Sequence, residues 1–131
     1  MEKLEIKEKM QGFIDELEGI IVKYCKLKTE LHDLAEWVYE ECTELENDMI
    51  IAEDKLMHII EHKIKRLAEK HGLKIHGEVF TQLGEYRNYV TILVCSIQAN
   101  GKLIYVFAVL REHETEDTYN LELDSLYYTV K

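Results

Sequence analysis

From Met10 the apolar residues fall at Met10, Phe13, Leu17, Ile20, Tyr24, Leu27, Leu31, Leu34 and Val38, in steps that alternate three and four without exception. That spacing is the a/d line of a coiled coil, or of a helix lying in a groove, and it predicts a long helix with one apolar seam. The chain contains no proline to interrupt it. Glu41 breaks the seam, Leu45 resumes it, and Met49, Ala52, Leu56 and Ile59 carry it on. The two successive four-residue steps around Leu45 amount to a stutter. They place the expected break at Asn47-Asp48, a good N-cap pair. Thr29 is the competing break, because Lys23, Lys26 and Lys28 precede it and Glu30, Asp33 and Glu36 follow, the charge order of one helix ending and another beginning. The unbroken seam across Leu27 and Leu31 favours Asn47-Asp48. The last helical stretch, Met49 to His71, closes on Lys63, Lys65, Arg66 and Lys70 ahead of Gly72, a stop signal.

After Gly72 the period becomes two. Leu73, Ile75 and Val79 alternate with Lys74, His76 and Glu78, predicting a half-buried first strand. Tyr89 to Gln98 and Leu103 to Leu110 are apolar on both faces, and Asn100-Gly101 between them is a strong hairpin signal. These two strands are expected at the centre of a sheet covered on both sides. Tyr119, Leu121 and Leu123 alternate against Asn120, Glu122 and Asp124 in a final strand.

The predicted fold class is therefore α+β: a long N-terminal, coiled-coil-like helical arm and a second helix over residues 1–71, then a four-stranded antiparallel β-meander over 72–131, in one folding unit. A straight helix over residues 10–45 would be about 50 Å long, more than so small a sheet can cover. Either the arm folds back or part of the seam meets another chain. A homodimer associating through Leu17, Ile20, Tyr24, Leu27, Leu31, Leu34 and Val38 is the simplest expectation.

Composition narrows the possible partners. The 131 residues carry a formal net charge of −10. From Thr29 to Asp54 there are ten acids and no Lys or Arg, a surface that repels nucleic acid, so direct binding to it is not expected. A basic protein partner is the complementary expectation. The first ten residues mix charges of both signs without an apolar core, unlike a secretory signal, and stretches such as Val90 to Ile97 are too short to span a bilayer. Cys25, Cys42 and Cys95 form no CxxC pair and read as reduced thiols. The expected setting is cytoplasmic, away from membranes.

Candidate chemistry is sparse. His58-Ile59-Ile60-Glu61-His62 resembles the HxxEH motif of inverted zincins. The resemblance implies zinc on His58 and His62 one turn apart, Glu61 polarising water, and a further ligand from Glu112, Glu114, Glu116 or Glu122. The simpler reading places both histidines on the solvated face opposite Leu56, Ile60, Ile64 and Leu67. Glu40-Glu41-Cys42-Thr43-Glu44 resembles the EExxE element of the MazG-type nucleotide pyrophosphohydrolases, which implies magnesium on Glu40, Glu41 and Glu44. The second ExxD element of that family is missing. Helix followed by hairpin also loosely resembles the restriction-endonuclease-like core, yet the two central strands offer no carboxylate for its metal. There is no GxSxG elbow, GxGxxG turn or Walker loop.

Six of the eight tyrosines fall in the strand half, where packing explains them more simply than a ligand pocket. The acidic segment could act as a nucleic-acid mimic of the kind phage inhibitors use, but a solvated helix face is the plainer account. The sequence thus favours a small acidic interaction or assembly protein without catalysis, cofactor or metal. A metal-dependent hydrolase and an acidic inhibitor are the alternatives.

Overall fold

The computed structural model describes residues 2–41, 46–116 and 118–131, with side chains described over 6–34, 52–116 and 118–131. Two helices, α1 (Glu2–Glu41) and α2 (Glu46–Lys70), precede five strands: β1 (Lys74–Ile75), β2 (Thr81–Tyr86), β3 (Tyr89–Ala99), β4 (Lys102–Glu114) and β5 (Tyr119–Val130). All strand pairings are antiparallel. β2, β3, β4 and β5 form a meander, and the short β1 shares with β2 the same edge of β3.

The helical arm folds back. α1 runs unbroken through Thr29 and ends at Glu41, and α2 starts at Glu46, so the interruption comes earlier than Asn47-Asp48, which lie inside the first turn of α2. The helices are antiparallel. Near one end Glu16 of α1 holds Lys70 at 2.6 Å and also meets His71, while further along Lys28 faces Glu53 at 3.8 Å. α2 then ends as its sequence predicts. Gly72 takes φ 68°, Leu73 N–H donates to Ala68 O at 2.9 Å, and Gly72 N–H donates to Glu69 O at 3.0 Å. This is a Schellman cap, with Leu73 buried just beyond it.

The seam is used with a drift. A straight helix repeats every 3.6 residues rather than 3.5, so a strict 3-4 line rotates by about 20° per heptad. The side chains of α1 that are sealed from solvent are accordingly Met10, Phe13, Leu17, Ile21, Tyr24 and Cys25. Ile20, Leu27 and Leu31 are only half-buried, and Leu34 is exposed.

The hairpin between β3 and β4 has Asn100 at φ 50° and Gly101 at φ 76°, both positive as a type I′ turn requires. The expected first strand over Leu73 to Val79 shrinks to the two residues of β1, because Gly77 (φ 88°) and Phe80 (φ 58°) turn the backbone out of extended conformation. Val79 and Phe80 are buried all the same. β2, by contrast, is a strand the period-two pattern does not predict. Its residues are almost all exposed, and only the backbone ladder to β3 holds it.

Strand alternation and register give the sheet two faces. On one, Ile104, Val106, Ala108 and Leu110 of β4 stand beside Ile92, Cys95 and Ile97 of β3 and Leu121 of β5, all buried beneath the helices. α1 is tied to this face at β5. Thr29 Oγ1 donates to Cys25 O at 2.8 Å and accepts from Leu121 N–H at 3.1 Å, and the His32 ring stacks on Tyr119 with centroids 3.9 Å apart. Both halves of the chain thus contribute to one cluster of buried side chains. The opposite face departs from expectation: no described element covers it, since the arm returns along α1 rather than crossing beneath the sheet.

Candidate interaction face

The uncovered face is built by the other half of the strand alternation. In β4 it presents Leu103, Tyr105, Phe107 and Val109, and the register sets Leu93 of β3 and Tyr127 of β5 on either side of Phe107. The rings form a row, with Tyr105 to Phe107 centroids 6.4 Å apart and Phe107 to Tyr127 centroids 5.5 Å apart, both tilted by 31°. Leu93, Tyr105, Phe107 and Val109 are half-buried, and Tyr127 is 44% exposed. At one corner Tyr86 is 72% exposed beneath the Arg87 guanidinium, 5.4 Å from its ring centroid.

The same face is electrically quiet. Its positions in β3 from Thr91 to Gln98, in β4 from Leu103 to Val109 and in β5 from Ser125 to Thr129 include no Asp, Glu, Lys or Arg. Charge returns at the ends, where Arg111 is opposite Glu122 at one and Lys74 is opposite Gln98 at the other. An apolar, aromatic-rich sheet surface of this kind can bury area against another protein.

The residues expected at an interface take varied positions. Leu17 and Tyr24 lie in the chain's own core, Tyr24 with its ring edge-on to Phe80. Ile20 and Leu27 line a groove between the helices with Leu56, Ile59 and Ile60. Leu31 packs partly against the core, and Leu34 is 47% exposed. The side chain of Val38 lies outside the described residues.

Of the metal candidates, the side chains of Glu40 and Glu41, and all of Glu44, lie outside the described residues. His58 and His62 are exposed on the face of α2 opposite buried Leu56, Ile60 and Ile64, and His58 Nδ1 is 3.9 Å from Glu61 Oε2. Among the described residues, no three His, Cys, Asp or Glu side chains come together as a metal site.

Cys25 and Cys95 are buried free thiols, each pushed up to about 12 by loss of solvation, and so are protonated at neutral pH. Cys42 lies outside the described residues. Among the described residues no helix is long and apolar enough to cross a membrane. The open row was missed in the sequence because apolar alternation in both phases of β4 signals burial on both sides. Tyr105, Phe107 and Tyr127 at alternate positions were its only visible trace. In comparisons with protein-family models, with curated proteins and with solved structures, nothing matches this chain.

Proposed function

We propose that this is a non-catalytic interaction and assembly protein that works by contact, with the open sheet face as its binding surface. The observation that carries the reading is the row Tyr105, Phe107 and Tyr127 on a face that no described element covers. Solvent exposure of such a row is costly, at roughly 25 cal/mol for each Å² of apolar area, and a partner removes that cost. Aromatic anchors are also the residues from which interfaces draw most of their affinity. The acidic stretch from Thr29 to Asp54 contributes selection rather than affinity, disfavouring nucleic acid and favouring basic surfaces.

Chemical cross-linking of the tagged full chain in native-host lysate tests this reading. The expected result is a cross-linked species above the monomer that Phe107→Asp eliminates while the circular dichroism spectrum stays unchanged. A species that survives Phe107→Asp, or none at all, would overturn it.

A further inference from the structure

We infer that the occupant of the open face is a second copy of this chain, the two sheets packed face to face about a two-fold axis with the helices outermost. This rests on the reading that the face is a protein contact, and it names the partner. Three observations carry it.

The first is charge. Copies of a chain with net charge −10 repel one another over most of their surface. The open face, uncharged from Thr91 to Gln98, Leu103 to Val109 and Ser125 to Thr129, lets one copy approach another without setting acid against acid. A basic partner would instead be drawn to the acidic helical segment.

The second is area. β2 to β5, 6, 11, 13 and 12 residues long, rise about 3.3 Å per residue in strands about 4.8 Å apart and give a whole sheet face of about 670 Å². That is close to the ~800 Å² per partner of a standard stable interface.

The third is self-complementarity. A two-fold contact needs one patch that fits itself, and a patch of uncharged rings, Tyr105, Phe107 and Tyr127, can meet its own copy without setting like charges together. Phe107 stands on β4 between β3 and β5, so the axis passes near it and the two copies of its side chain oppose each other.

Sedimentation equilibrium of the purified full chain tests the inference. The expected mass is twice that of one chain. Phe107→Glu and Phe107→Lys, each folded by circular dichroism, should both sediment as monomers, and mixing them should restore a dimer containing one of each. A wild-type monomer at 100-fold dilution below and at about 100 µM alike would overturn the inference, as would a dimer that keeps its mass in both Phe107 variants or loses it in Leu34→Asp. If the purified chain is monomeric while the cross-linked species in lysate still depends on Phe107, the face binds a different protein and only this inference fails. If that species is also absent, the reading of the face fails with it.

Discussion

The Phe80 ring meets the Tyr24 ring edge-on, with centroids 4.8 Å apart and planes at 73°. To put its ring there, Phe80 adopts φ 58°, a left-handed conformation that costs a side-chain-bearing residue about 1–2 kcal/mol. Burial of the ring, 4% exposed, outweighs that cost. Phe80→Ala should therefore lower stability by about 3–5 kcal/mol, with the backbone strain still present. Phe80→Gly relieves the strain, so it should be no less stable than Phe80→Ala despite losing a further carbon. Urea denaturation of the two variants side by side gives the comparison.

Thr29 provides a second long-range tie. Its hydroxyl accepts from Leu121 N–H, a donor at the junction of α1 and β5. Thr29→Val keeps the shape and removes the acceptor, leaving that N–H unsatisfied at a cost of about 1–3 kcal/mol. Thr29→Ser retains the hydroxyl and should recover most of the loss. Hydrogen exchange at Leu121 should be faster in the valine variant and close to wild type in the serine variant.

The two glycines of α1 are expected to respond differently. A Cβ at Gly19 meets nothing within 4 Å, so Gly19→Ala should stabilise by about 0.5–1 kcal/mol through helix propensity alone. A Cβ at Gly12 comes within 3.1 Å of His71 Cε1. Gly12→Val adds further bulk against the same ring and should destabilise. Thermal melts should move upward for the first variant and downward for the second.

High pH should unfold the protein sooner than exposed groups would. Burial pushes Tyr24 from 10.0 to about 12, and Cys25 and Cys95 from 9.0 to about 12. Each folded value lies above the unfolded one, so the contribution is intact below pH 9 and is lost as pH rises from there toward 12. Near pH 10.5 each thiol would contribute about 2 kcal/mol of destabilisation. Cys95→Ser and Cys95→Ala are alike in this respect, because neither titrates there, and they differ only in that serine brings a hydroxyl into the core. Both should flatten the alkaline limb of stability against pH, measured by urea titration at stepped pH. At pH 8 in the native protein, iodoacetamide should leave Cys25 and Cys95 unlabelled, as mapped by mass spectrometry.

Parts of this architecture are legible in the sequence because single residues dictate local geometry. Asn100-Gly101 specifies a turn with two positive φ values, and Gly72 after a basic last turn specifies the end of α2. β2 is not legible: Thr81 to Tyr86 has no apolar alternation, and the Arg87-Asn88 turn that follows contains no glycine although Arg87 takes φ 56°. The seam reveals that one side of α1 is buried, but periodicity does not identify the neighbour. Leu17 is sealed in the chain's own core, whereas Ile20, three residues on, faces the groove beside α2. For the same reason, alternation picks out Tyr105, Phe107 and Tyr127 as sharing one side of the sheet. That this side stays open depends on the helices returning together over the other, which no local pattern encodes.

The hydrogen bond from Leu121 to Thr29 joins residues 92 apart in the chain. During synthesis, α1 is made before any of the strands, and the strand that seals it is the last described element to leave the ribosome. Until β5 arrives, α1 lacks the strand to which Thr29 and His32 tie it, and β4 lacks its partner on that edge. A nascent chain stalled before β5 thus carries an unpaired β4 edge beside a helix not yet tied to the sheet, the form in which a chaperone would have most to hold.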